Sequence, residues 1–390
     1  MKTNKMTLAV RATTASLLMG VAGQAAAFEF QAGDVNADVY GYARMNAVYD
    51  IDQDIGLTTQ SGNFTNVDPA DAGATGIFDA DAQQSRLGVT ATHANGVKIN
   101  LETDFRGGTF RIRHAYGEYE NLLIGRTWSN FNSFVGFTST LDFDSLAGNA
   151  GVQDRAAQVR YTSGPLSFSL EDPRFQRIAQ ATGTAGALEV DGTNQTQSLP
   201  VATVRFQQGV TDALTVSAAG LVQQLSLDGG NGAIDETAVG FGAFAAARLA
   251  VNEMLSVQGA FNYTNGANGY LYRSGNGGFG AADAYLDGNG SLETLPGYGG
   301  TIGVGADIGM GTVNAGYGLV TVDWDDAAED FNAGAVAARH ETNSNVFVNY
   351  QWTPVEHVMM GVEYGYFDVE EYDGASGDAN RIMFAAQYNF

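Results

Sequence analysis

No cysteine occurs among the 390 residues, which excludes a disulfide framework and any thiolate metal site. Histidine is almost as scarce. His93, His114, His340 and His357 lie far apart and none sits in a recognisable nucleophile motif, so the surface His-Ser pair of an outer-membrane hydrolase finds no support. The expectation is a protein that is not an enzyme and needs no cofactor. Past the N-terminus no stretch approaches the ~20 consecutive apolar residues of a membrane-spanning helix. The one apolar run, Ala12 to Gly23, follows Lys2, Lys5 and Arg11 and precedes Ala25-x-Ala27, the layout of a secretory signal peptide over residues 1–27. Positive charge is also short. The 19 basic side chains, less those three, leave 16 against 43 acidic ones, a formal net of −27 that speaks against nucleic acid as a partner.

What the chain does have is alternation. From Asp38 to Phe390 it breaks into sixteen stretches of alternating polarity: 38–50, 83–93, 97–106, 109–120, 121–128, 155–162, 165–172, 198–208, 213–225, 235–249, 254–264, 298–308, 311–324, 340–352, 356–370 and 379–390. In the third, Val97, Ile99, Leu101 and Phe105 alternate with Lys98, Asn100, Glu102 and Asp104, a period of two that a helix does not show. Gaps after even stretches are tight, such as Ala94-Asn95-Gly96, Ser163-Gly164 and Gly309-Met310. Those after odd ones are mostly long. Even strand number, short turns on one side and long loops on the other define an outer-membrane β-barrel with periplasmic turns and extracellular loops. In lipid every backbone donor must be satisfied internally, so such a sheet closes on itself. Residues 28–37 are left as a short periplasmic lead-in and 38–390 as the barrel. Tyr49, Tyr161, Tyr350, Trp352, Tyr366 and Phe390 at strand ends suit an interfacial aromatic girdle. A soluble sandwich also alternates, but 51 glycines and few large aliphatics per strand would not build its core.

Much of the acid lies in the long gaps, including Asp52, Asp54, Asp79, Asp81, Asp325, Asp326 and Asp373. Such runs are usually solvated faces, and against lipopolysaccharide this rim is placed to recruit divalent cations. Asp287-Gly288-Asn289-Gly290-Ser291 lacks the spacing of a calcium loop. No metal site is expected. The arginines behave differently, since ten of them fall between Arg44 and Arg177. Arg44, Arg86, Arg111, Arg113 and Arg160 share parity with polar neighbours and oppose apolar ones, so they point into the lumen. A lipid-facing Arg costs about 2–4 kcal/mol at mid-bilayer. Arg126 shares parity with Leu122 and Ile124, and its facing is less secure. Because the last strand must close on the first, Arg381 joins the same wall. The expectation is an arginine ladder along one side of a pore, against the bland alternative of ion pairs with Glu102, Asp104 and Glu171. The third long gap, residues 129–154, is too apolar to be a solvated loop. It should fold into the barrel as a constriction bearing Phe134, Asp142, Phe143 and Asp144, or else pack on a neighbouring subunit.

YGYARMNAVYD at 40–50, QSRLGVT at 84–90, RIRHAYGEY at 111–119, IGRTWSNF at 124–131, TLDFD at 140–144, QVRYT at 158–162 and SLEDP at 169–173 resemble the DcaP-like porins of Gram-negative bacteria. The resemblance is dense in the first half of the chain. In the second it rests on barrel pattern and Phe390. It implies a sixteen-stranded homotrimeric porin of the outer membrane that takes up small anionic solutes such as dicarboxylates, with Arg44, Arg86, Arg111, Arg113, Arg126 and Arg160 as the motif arginines. The long helical segment that precedes the barrel in some relatives has no counterpart in residues 28–37. Two rival readings remain open at this level, a structural or adhesive barrel with an occluded lumen and an outer-membrane esterase or phospholipase.

Overall fold

The computed structural model describes residues 28–56, 64–70, 73–182, 187–190, 195–196, 198–228, 235–276 and 280–390. The expected signal peptide, 1–27, lies outside the described residues. Sixteen antiparallel strands form the wall. The first eight are β1 (Val35–Asp50), β2 (Arg86–His93), β3 (Lys98–Asp104), β4 (Arg111–Tyr119), β5 (Leu122–Trp128), β6 (Arg155–Ser163), β7 (Leu166–Glu171) and β8 (Val201–Gly209). The second eight are β9 (Leu214–Asp228), β10 (Asp235–Ala250), β11 (Leu255–Asn265), β12 (Pro296–Asp307), β13 (Thr312–Val322), β14 (His340–Val355), β15 (Val358–Glu371) and β16 (Ser376–Asn389). Each pairs with the next, and β16 pairs back onto β1 from Tyr42↔Asn389 to Asp50↔Arg381, which closes the barrel. All sixteen sequence-predicted strands are present, displaced at their ends by a few residues. Two short strands extend the wall at β1. Ile77–Asp81 pairs with its upper half, and Phe28–Ala32, within the expected lead-in, folds back on its start.

Alternation sets the two faces. Ile99, Leu101, Ile124, Val159, Phe168, Leu170, Phe261, Ile302, Val348 and Phe384 are exposed on the outside, whereas Asn100, Asn262, Asn314, Asn349 and Gln351 are buried within. Among the described residues no helix is long and apolar enough to cross a membrane, and the strands do so instead. Wall height is uneven. β3, β5 and β7 have 7, 7 and 6 residues, whereas β9, β10 and β14 have 15, 16 and 16.

Residues 129–154 turn inward, as expected, and run round the inner wall. The inner wall meets the loop's main chain with polar side chains at successive stations. Asn262 Nδ2 donates to Gly148 O at 2.7 Å, Asn349 Nδ2 to Ser139 O at 2.8 Å and Asn345 Nδ2 to Ser145 O at 3.1 Å. Inward glycines make the room, since a Cβ at Gly316 or Gly361 would lie within 2.8 Å of Leu146 or Leu141. The buried core therefore sits inside the barrel mouth. The first long loop gives it Ile55, Phe64 and Val67, the third Leu146, the sixth Leu271 and Tyr285, and the seventh Trp324, all against Phe347 and Phe367 of the wall. Above it the strands Ile178–Thr182, Ala187–Val190, Ala284–Leu286 and Leu292–Thr294 form a small sheet, with Ile178 and Ala284 in parallel register.

Candidate functional site

The constriction is built where the infolded loop crosses the wall of β1 to β8. Leu141 anchors it. Its side chain is fully buried against Val48, Met359, Met383 and Ala385, worth about 1.5–3 kcal/mol in burial alone. Its amide and that of Asp142 donate to the Glu363 carboxylate, both at 2.7 Å, and Asn349 Nδ2 donates to the same group at 2.9 Å. From the other side Arg44 Nη2 donates to Leu141 O at 2.7 Å while its Nε donates to Asn46 Oδ1 at 2.8 Å. Arg205 likewise donates to Asn132 O at 2.6 Å, and Arg160 donates to Trp128 O and, at 2.8 Å, to Gln158 Oε1. These three arginines make no ion pair among the described residues. A carbonyl satisfies the geometry of a guanidinium without cancelling its charge.

Further round the wall pairing is tighter. A register shift between Glu102 and Thr103 on β3 opposes them with His114 and Ile112, so Arg113 is an extra residue and both it and His114 are buried inward. Arg113 donates to Glu102 Oε1 at 2.9 Å and to Asp104 Oδ2 at 2.8 Å. Arg111 forks onto Asp104 at 2.6 and 3.0 Å. Arg86 stays 3.8 Å from Glu102 with its guanidinium 5.2 Å over the Tyr42 ring. The ladder and its bland alternative therefore both hold, on different members. Arg44 and Arg160 are lumen cations without a carboxylate, Arg86 is loosely paired, and Arg111 and Arg113 are locked.

Two predicted ladder members are not in the pore. Arg126 pairs across the sheet with Ala115 and Ala157 and shares the outer face with Ile124 and Val159, both exposed. The expected inward facing of Arg126 is thus incorrect, because the parity shared with Ile124 decides it. Arg381 does face inward, but its fork closes on Asp50 at 2.5 and 2.8 Å and it is 2% exposed under the first long loop, whose Gly56 O accepts from it at 3.2 Å. It is a structural ion pair, out of reach of a permeating solute.

The predicted loop residues do converge on the wall. Phe134 meets Trp128 edge-on at 5.0 Å and Phe137 at 5.8 Å. The Phe143 ring centre lies 5.2 to 5.8 Å from the guanidinium groups of Arg113, Arg86 and Arg106. Asp142 turns back on the loop, its Oδ1 accepting from Asp144 N at 2.9 Å and Ser145 N at 3.1 Å, and Asp144 reaches Arg106 at 3.6 Å. Sequence reasoning missed Arg106, Arg155 and Arg205. Arg205 opposes Val204 and Phe206 and was legible on that ground. Arg106 closes the predicted stretch 97–106 in parity with Lys98, Asn100, Glu102 and Asp104, so it was legible too, although the structure places it just past β3. Arg155, stacked 3.9 Å over Trp128 with Nε 3.4 Å from His114 Nε2, begins β6 in parity with the outward Val159 and Tyr161, which gave the wrong sign.

Tyr42, Arg44, Arg86, Tyr116, Trp128, Phe134, Phe143, Arg160 and Arg205 all retain partial exposure on the inner side. A closed wall, apolar outside and wet within, narrowed by one loop on its own inner face, is the wall of a porin, an outer-membrane channel. A family model described as DcaP outer membrane protein matches residues 27–390, and the chain belongs to the DcaP family. No curated protein matches it. Its fold is similar to the crystal structure of the outer membrane channel DcaP of Acinetobacter baumannii, at 26% identity and a TM-score of 0.75, over 93% of this chain and 99% of that one. It is similar in fold alone to an anion-selective porin from Comamonas acidovorans, at 11% identity and 0.54 over 91% and 100%. The same holds for OmpF of Salmonella typhi, at 13% and 0.53 over 93% and 100%. Family and neighbours are channels rather than enzymes and place the chain in the bacterial outer membrane.

Proposed function

We propose that this porin passes small hydrophilic anions in preference to cations, short dicarboxylates among them, and that it does so as a homotrimer after removal of residues 1–27 as a signal peptide. One observation carries the preference: Arg44, Arg160 and Arg205 spend their hydrogen bonds on carbonyl oxygens and keep their charge inside the constriction. Charges lining a narrow low-dielectric passage focus their field on the permeating ion. The planar guanidinium fork also matches a carboxylate with two parallel hydrogen bonds. The trimer is supported by the low wall. A strand needs about 9–11 residues to cross the bilayer, and β3, β5 and β7 fall short while presenting Ile99, Leu101, Ile124 and Leu170 outward beside Arg126. A second copy is the natural cover for that sector, and lipopolysaccharide contacts the taller one.

Replacing Arg44, Arg86 and Arg160 together by Gln keeps an amide donor at each position and removes three charges. In liposome swelling, succinate uptake should slow about tenfold while a neutral pentose enters at the wild-type rate. Unboiled protein should run as a trimer in both cases. Equal slowing of the pentose would mean that the change narrows the pore, and unchanged succinate uptake would remove the arginines from selectivity.

A further inference from the structure

The tip of the infolded loop is held at both shoulders. Leu141 is fixed by Glu363 and Arg44, and the carbonyl of Ser145 accepts from Arg273 at 2.7 Å and Asn345 at 3.1 Å. Between them the turn is closed by Asp142, whose Oδ1 holds the amides of Asp144 and Ser145. Ser145 itself sits at φ 57°. With the main chain pinned this way, what can move at the tip is the side chains. Both that leave the turn toward the wall end on arginine. Phe143 covers Arg86, Arg106 and Arg113, and beneath it Arg86 Nε and Arg113 Nη2 have no hydrogen-bond partner among the described residues. Asp144 stands 3.6 Å from Arg106 Nη2, with the two side chains 10% and 25% exposed. At that distance charge rather than a hydrogen bond of ordinary length holds the pair, and Arg106 keeps partial access to water.

We propose that Asp144 is a tethered resident carboxylate for Arg106, occupying a cationic contact on the extracellular side of the constriction that a permeating carboxylate takes by displacing it. The step is a side-chain rotation and an exchange of one carboxylate for another at the same guanidinium. No bond is made or broken. A ligand on a short tether competes as if present at roughly millimolar concentration, so the exchange discriminates by carboxylate concentration and by fork geometry, which chloride lacks. This rests on the anion-preferring reading above, and adds Arg106 and Asp144 as the pair that sets carboxylate affinity.

The test is the block of chloride current by succinate in planar bilayers, for wild type, D144N, R106Q and the double variant, with gel mobility before and after boiling as the check on folding. Asn cannot pair with Arg106 as an anion, and the turn depends on Asp142, so D144N should lower the half-blocking succinate concentration about threefold, the scale of a part-exposed ion pair. R106Q should raise it, and D144N should add nothing in the R106Q background. Asp144→Ser serves the same purpose if D144N does not assemble. An anion-selective wild type whose half-block is unmoved or raised by both Asp144 variants, or which succinate does not block, overturns the exchange and leaves the anion preference standing. A cation-selective wild type overturns both.

Discussion

At the scale of single residues, charge in this barrel is allocated by partner. Arg44 and Arg160 meet carbonyl oxygens, Arg113 meets two carboxylates, and Arg381 disappears against Asp50. One buried acid outside the wall gives a measurable consequence. Asp283, fully buried in the sixth long loop, accepts from the main-chain amides of Gly269 and Arg177, each at 2.7 Å, and so ties that loop to the fourth. Burial outweighs those donors and the Arg177 charge and pushes its carboxyl up from an ordinary 3.8 to about 7. The folded protein therefore holds a proton that the unfolded chain has lost. The resulting stability is full below about pH 4 and falls away as pH rises through 7, by at most about 4 kcal/mol. The heating temperature that abolishes fast gel migration should drop between pH 4 and 8 and should do so less in D283N, and equal slopes would exclude Asp283 as the source. Much at this scale was legible from parity alone, Arg44, Arg86 and Arg160 included. The inward facing of Arg381 was legible too, but its pairing was not, since Asp50 stands 331 positions away.

At the scale of elements, the infolded loop is the part whose composition gave it away. Phe131, Leu141 and Leu146 are each at most 1% exposed, and the glycines at 316 and 361 that receive the loop lie some two hundred residues downstream. Apolar content could say that the loop buries itself. It could not say that the loop follows the wall from β8 round to β2, because that path is set by Asn262, Asn345, Asn349 and Glu363 on three other strands. Strand existence was legible from the period of two, while strand ends were displaced where the wall is low and bulged. Gly361→Val places methyl groups where Leu141 lies and should cost about 1–3 kcal/mol of overpacking. It should displace the loop tip into the lumen and lower single-channel conductance without loss of the barrel. Unchanged conductance in a folded variant would mean that the tip does not set the constriction.

On the scale of the whole molecule, global and local charge disagree. The chain carries a formal net charge of −24, yet much of its acid sits in extracellular loops where charge is screened within a Debye length of about 8 Å at physiological salt. Arg44, Arg160 and Arg205 lie on the inner wall against the infolded loop, where solvent screens them less than it does the loop acids. Composition alone would have predicted a cation channel, and only the placement of Arg44, Arg160 and Arg205 against main-chain carbonyls argues the reverse. The zero-current potential of the wild-type protein across a potassium chloride gradient in a planar bilayer tests this most directly. Local charge predicts a potential of the sign that chloride permeation sets, and a potential of the sign set by potassium would contradict it.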